Sequence, residues 1–266
     1  MITAERAIKT LRRDLTISSV LRSLLLFGIT VAAVVGAVNG IGNYVMLLLV
    51  GLSVSWAFFS LQAARRSYAN ADSPTLIASG QFAEAEEQIE KEIQSFFQFK
   101  SVRLRGLHHL AVLRHAQRQW REAALLSQAL LRQRLSMMPA VARTTRLMLA
   151  DSLLELGDLP GAYHALASIY AQRLSLTEAM NLMVVQLDYE SRIGAWAAML
   201  ANIGHKVQLS ELMPANSSAR AQAMLALAAN RLGKPELAEW LKRRAELLVD
   251  INELVAHRPM LKQVWR

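Results

Sequence analysis

The chain has 266 residues, with 30 Lys and Arg against 21 Asp and Glu, a formal net charge of +9, and 53% hydrophobic residues. It has no cysteine, which excludes disulfides and thiolate-based metal or redox chemistry. Outside one long uncharged stretch about 200 residues remain, enough for one large or two small domains.

Residues 1–22 form a basic N-terminal segment carrying Lys9, Arg12, Arg13 and Arg22. No charged residue follows until Arg65. A membrane-crossing helix needs about 20 apolar residues, so residues 23–64 are long enough for two crossings. Asn39-Gly40-Ile41-Gly42-Asn43 supplies turn formers in the middle. The pattern predicts a transmembrane helical hairpin, with one span to about Val38 and a second from about Tyr44 to Ala64. Lys and Arg collect on the cytoplasmic side of short flanks. The basic residues Arg12, Arg13, Arg22, Arg65 and Arg66 are therefore expected to face the membrane from the cytoplasm, with both termini on that side. A cleaved signal peptide fits poorly, because a second apolar segment follows at once and no small-residue cleavage site ends the first. A hairpin buried in a water-soluble core would need a polar face, and neither segment has one. Ala32 with Gly36, Gly36 with Gly40, and Gly51 with Ser55 place small residues one turn apart, suited to packing within the hairpin or to self-association. Tyr44 and Tyr68 are expected as interfacial anchors.

Beyond the hairpin the sequence repeats itself. Gly80, Phe82 and Ala85 recur as Arg118, Trp120 and Ala123, as Gly157, Leu159 and Ala162, as Gly194, Trp196 and Met199, and as Gly233, Pro235 and Ala238. The leading residues lie 38, 39, 37 and 39 apart. Leu110-Ala111, Leu149-Ala150 and Leu225-Ala226 precede three of them by the same interval. Glycine at the first place ends one helix in a left-handed conformation. Alanine at the sixth lets the next helix lie against the Leu-Ala face of the one before. Such a hairpin cannot bury its apolar side alone, so neighbours must stack. The first repeat's leading helix, from near Pro74, is expected to be short.

These residues resemble the tetratricopeptide repeat (TPR) family over roughly residues 72–250, most clearly at Leu149–Ile169 and Leu225–Ala245. Together with the hairpin read from residues 23–64, the resemblance gives an expected all-α fold: the transmembrane hairpin followed by a TPR-like α-solenoid, with residues 251–266 as a C-terminal capping segment. The chain departs from the family in its period, longer than the usual 34 residues, in Arg118 at a turn glycine, and in a fourth repeat without the Leu-Ala pair. A membrane hairpin ahead of such repeats also resembles the HemY-type bacterial inner-membrane proteins, and Arg192-Ile193-Gly194-Ala195-Trp196 echoes that family.

TPR arrays bind an extended or helical peptide on the face lined by the first helix of each repeat. Counting back from the turns puts Arg105, His108 and His115, then Asp151 and Glu155, then Asp188 and Arg192, then Arg220, Asn230 and Arg231 on that face. They are the expected protein-binding groove; the plainer reading is a solvated helix face. The family's lysine-asparagine carboxylate clamp is not reproduced. Lys100 to Arg146 carries ten basic residues and one acid, Glu122, just after an acidic helix with Glu84, Glu86, Glu87, Glu90 and Glu92. Ion pairing between these neighbours absorbs part of the excess. The remainder suits anionic lipid, at on the order of 1 kcal/mol per residue near the surface. Nucleic acid is not expected, since no recognition motif accompanies the arginines. The six histidines show no third ligand at metal-site spacing, and no phosphate-cradling loop, nucleophile elbow or HExxH occurs. The expectation is a non-enzymatic, membrane-anchored scaffold or adaptor with no cofactor or small-molecule substrate, binding an unidentified protein. Two alternatives stay open: a self-associating, lipid-binding structural protein, and an accessory subunit of a membrane complex.

Overall fold

In a computed structural model the chain is all-helical among the described residues. These are residues 2–38, 72–94, 100–133, 135 and 138–265, and between 39 and 71 only residues 47, 50–56, 58 and 61. Two compact units result, Met1–Leu135 and Ser136–Arg266.

The N-terminal unit contains α1 (Ala4–Val38), α2 (Ser73–Ala78), α3 (Phe82–Gln94), α4 (Lys100–Ala116) and α5 (Trp120–Leu131). The C-terminal unit contains α6 (Pro139–Glu155), α7 (Leu159–Tyr170), α8 (Leu176–Arg192), α9 (Trp196–Leu200), α10 (Ile203–Glu211), α11 (Ala215–Arg231), α12 (Pro235–Glu246), α13 (Ile251–His257) and a 3-10 helix, Pro259–Val264.

The turns explain the repeat. Gly80, Arg118, Gly157, Gly194 and Gly233 all have positive φ, at 79, 61, 79, 72 and 66°. At each, the turn residue's N–H donates three residues back, and the next N–H donates five residues back. Gly157 to Leu154 O at 3.0 Å and Asp158 to Leu153 O at 2.9 Å show the pattern, and Arg118 to His115 O at 3.0 Å and Gln119 to Arg114 O at 2.8 Å repeat it. This paired closure satisfies carbonyls that a helix end leaves open. Arg118 therefore does a glycine's work despite its side chain. The sixth-place residues Ala85, Ala123, Ala162 and Met199 are fully buried and Ala238 nearly so, as are Ala111, Ala150 and Ala226 on the facing helices. The short leading helix of the first repeat is α2.

The fourth repeat deviates for a visible reason. Leu187 and Met199, both buried, put larger side chains at the two places that alanines fill in the second, third and fifth repeats. The second helix stops after Leu200, turns at Asn202 with φ 54°, and resumes as α10. Lys206 on α10 reaches back to the carbonyls of Ala198 and Met199 at 2.8 and 2.9 Å and satisfies the broken end.

The N-terminal half of α1 packs against α4 and α5. Ala4, Ala7, Leu11 and Asp14 follow a helical spacing of three or four residues and are buried. Asp14 pairs with Arg103 at 2.5 Å, each side chain 6% exposed. The basic segment and the uncharged stretch are thus joined in one continuous helix of 35 residues. Among the described residues no helix is long and apolar enough to cross a membrane. The uncharged part of α1, Ser23–Val38, extends about 24 Å at 1.5 Å per residue, against a hydrocarbon core of about 30 Å. The expected turn at Asn39–Asn43, most of the second expected span, Tyr44, Arg65, Arg66 and Tyr68 lie outside the described residues.

Candidate functional site

In the C-terminal unit the first helices of three repeats bring five of the expected groove residues together. Asp151 and Glu155 come from α6, Asp188 and Arg192 from α8, and Arg220 from α11. Asp151 and Asp188 stand 37 residues apart, as do Glu155 and Arg192, so each pair occupies matching places on neighbouring helices.

The arrangement is dense. Arg192 Nε donates to Asp188 Oδ1 at 2.9 Å and Nη1 to the Leu154 carbonyl at 2.6 Å, while Nη2 contacts Glu155. Arg220 Nη2 donates to Asp188 Oδ2 at 2.7 Å and to Asp151 Oδ1 at 3.0 Å. A sixth member, Arg258, comes from the C-terminal segment. Its Nη2 lies 3.2 and 3.3 Å from the two Asp151 oxygens, and its Nη1 meets Glu155 and lies 3.5 Å from Asp188 Oδ2. Asp188 is fully buried and Asp151 nearly so. Burial opposes the charge on Arg220, but Asp151 and Asp188 outweigh it and raise its pKa above the ordinary arginine value. Arg192 is raised in the same way by Asp188 and Glu155. Three arginines face three carboxylates, so the cluster is neutral by count and its acids and bases are committed to one another. Charged residues expected to line an open groove instead form an internal network.

The other expected residues lie apart from it. Asn230 and Arg231 are exposed at the end of α11. Arg231 donates to Gln263 at 2.5 Å and lies over the Trp196 ring, 5.9 Å from its centroid. Arg105, His108 and His115 sit half-buried on α4 in the N-terminal unit. The His115 ring meets Trp120 edge-on at 5.1 Å. Burial, with His109 as a lesser cause, pushes His108 down to about 4. Arg12 and Arg13 are exposed on α1, Arg13 pairing with Asp14 at 3.2 Å.

Part of the basic block is consumed internally. Arg114 is completely buried, yet donates to the Ile2 carbonyl and to Glu86, both at 2.7 Å, and pairs with Glu122 at 3.1 Å. The hydrogen bond and charge of Arg114 hold Glu86 below the usual carboxylate range. Arg143 pairs with Glu178 at 2.7 Å. The Arg114–Glu86 pair joins the basic block to the acidic helix before it, the pairing the sequence suggests, whereas sequence reasoning passed over Asp14 and Arg258. Arg258 is 107 residues from Asp151, and no local pattern links them.

Among the described residues no group of His, Asp or Glu is placed to hold a metal ion. A cavity of about 240 Å³ lies between α11 and α13, lined by Asn216, Ser217, Arg220, Val249, Glu253, Leu254 and Arg258. No family model matches the chain, and no curated protein or solved structure matches it.

Proposed function

We propose that the chain is a membrane-anchored, non-enzymatic scaffold whose TPR-like repeats hold a protein partner at the cytoplasmic face. One observation carries the anchoring. Ile17, Val20, Leu24, Leu26, Phe27, Val31 and Val34 on α1, and Leu47, Val50, Leu52, Val54, Trp56, Phe58 and Leu61 after it, are 40–69% exposed. Apolar surface on this scale marks contact with lipid or another protein. The missing charge from Ser23 to Ala64 favours lipid, in a two-span hairpin with cytoplasmic termini. Arg12 and Arg13, exposed just before this run, are placed to meet anionic headgroups. The scaffold part of the reading is supported by the recurring hairpins, an architecture compatible with an α-solenoid that presents side chains from successive first helices.

Two measurements test this. The full chain should float with membranes and stay there through alkaline carbonate washing, with both termini shielded from protease in sealed right-side-out vesicles. Release by carbonate refutes the anchor. Crosslinking in the membrane followed by mass spectrometry should recover a protein with the wild type that is lost with Ala162→Arg, which wrecks a fully buried helix contact. Recovery of only the chain itself and anionic lipid replaces the scaffold with the lipid-binding, self-associating alternative.

A further inference from the structure

Glu190 stands at a place that the other repeats fill differently. Four residues before the turn, Leu153 and Ala229 put buried apolar side chains into the third and fifth repeats, and Arg114 puts a buried guanidinium into the second, paired with Glu86 and Glu122. The fourth repeat has Glu190 there, 8% exposed. Its Oε1 accepts from Gln186 Nε2 at 2.7 Å. Its Oε2 has no hydrogen-bond partner among the described residues. A buried carboxyl group with one neutral donor is the exception in a folded chain, because burial is costly unless both oxygens are satisfied. It points to a donor from outside the chain.

Glu190 lines a groove that opens to the surface between α8 and α10, beside the break in the repeat's second helix. Leu182, Met183 and Leu187 give it apolar walls, and Gln186, Glu190 and Lys206 give it polar groups. Its volume of about 120 Å³ has room for roughly four water-sized groups. Lys206 leaves Glu190 unsatisfied, since its ammonium goes to the carbonyls of Ala198 and Met199 at 2.8 and 2.9 Å. The groove thus joins an apolar wall to an unspent acceptor, the complement of an alkylammonium with its apolar stem. A guanidinium suits it less well, because its planar fork calls for both carboxylate oxygens and Gln186 already holds one.

We infer that this groove receives a lysine side chain of the protein partner, with its methylenes against Leu182, Met183 and Leu187 and its ammonium on the free oxygen of Glu190. The inference rests on the scaffold reading and adds the partner's chemistry at one point of contact. The partner's backbone stays outside, at the open side of the groove.

The test uses the full chain in detergent micelles and, as probes, lysine, norleucine and arginine capped at both ends. Norleucine keeps the apolar stem without the charge. NMR signals of the Met183 methyl and the Gln186 side-chain amide read occupancy. Capped lysine should shift both, with a Kd on the order of 1 mM for so small a ligand. Norleucine and arginine should bind roughly tenfold more weakly. Glu190→Gln keeps the shape and should bring lysine and norleucine to within about twofold of each other. A wild type that binds norleucine as well as lysine, or that shifts with neither, overturns the inference and leaves Glu190 to water. This comparison needs no variant, so it decides the matter even if Glu190→Gln fails to fold. If n-butylammonium binds roughly tenfold more tightly than capped lysine, a protein-borne side chain is overturned in favour of a free amine. Partner recovery by crosslinking is read separately, so a groove that binds lysine while no partner is recovered counts against the scaffold alone.

Discussion

Asp188 is the point where the charge network can be tested as a unit. Its Oδ1 accepts from Arg192 at 2.9 Å, its Oδ2 accepts from Arg220 at 2.7 Å, and Arg258 stands 3.5 Å from the latter. Asp188→Asn preserves shape and removes one charge. Three guanidiniums then face two carboxylates, and the amide nitrogen must point at one of the two arginine donors. Removing one partner from a buried ion pair costs roughly 3–5 kcal/mol, a large share of the ~5–15 kcal/mol that holds a domain together. Arg220→Met alone leaves Asp151 and Asp188 each short of a donor and should cost a similar amount. The double variant restores the balance, with Arg192 on Glu155 and Arg258 on Asp151. Its cost should fall short of the sum of the singles by about 1.5–3 kcal/mol, the coupling expected inside one network. Denaturant-dependent hydrogen exchange of α11 amides reads the C-terminal unit without interference from the N-terminal one. Additivity within about 0.5 kcal/mol, or a single-variant cost below about 1 kcal/mol, would show that the groups are solvated individually and refute the network.

Gly157 has φ +79° and nothing within 4 Å of an added Cβ, so Gly157→Ala should lose about 1 kcal/mol from backbone conformation alone. Arg118→Gly should move the other way by up to about 1 kcal/mol, and thermal melts that shift both variants in the same direction would contradict the shared turn. Arg114→Met removes a fully buried guanidinium from Ile2, Glu86 and Glu122; it should cost roughly 3–5 kcal/mol and expose residues 3–11 to protease, and unchanged proteolysis would mean that α1 is held by its apolar stripe alone. His108, held at about 4, stays neutral in the fold while the unfolded chain protonates near 6.5, so its contribution is complete above pH 6.5 and is lost as pH falls toward 4. The loss is at most on the order of 3 kcal/mol; it should vanish in His108→Leu, and an NMR titration of His108 near 6.5 would contradict it.

The repeats were legible because their demands are local. A turn that closes with positive φ calls for glycine, and two helices crossing closely call for alanine, so both leave a mark at a fixed interval. Arg118 kept its place in the pattern because Trp120 and Ala123 around it did. The network was legible only as a set of faces. Counting back from the turns put Asp151, Glu155, Asp188, Arg192 and Arg220 on the right helices, but the 37-residue spacing also sets Glu155 beside Arg192 and Asp151 beside Asp188, a like-charged pair that Arg220 bridges. Neighbours at that distance satisfy each other before they satisfy a partner. Arg258 completes the balance from more than 100 residues away, which no periodicity announces. The docking of α1 was hidden in a similar way. Its charges Lys9, Arg12 and Arg13 dominate the composition, while the stripe that matters runs through Ala4, Ala7, Leu11 and Asp14 beneath them.

The continuity of α1 limits how an anchor of the proposed kind would work. A Gly- or Ser-rich linker between anchor and repeats would leave the N-terminal unit free to tumble near the bilayer. Here Asp14, on the same helix whose uncharged part begins at Ser23, is locked to Arg103, and Ile2, just before that helix, is held by Arg114. The nine helical steps from Asp14 to Ser23 rise only about 14 Å at 1.5 Å per residue. With the uncharged part of α1 in lipid, the N-terminal unit is therefore held close to the headgroups, with its orientation set by helix geometry rather than by chance encounter. A buried ion pair and a buried hydrogen bond thus serve the same end as the run itself: the run fixes depth, and the contacts fix which side of the N-terminal unit faces the bilayer. Breaking either contact would leave an anchored chain whose N-terminal repeats no longer hold a defined orientation.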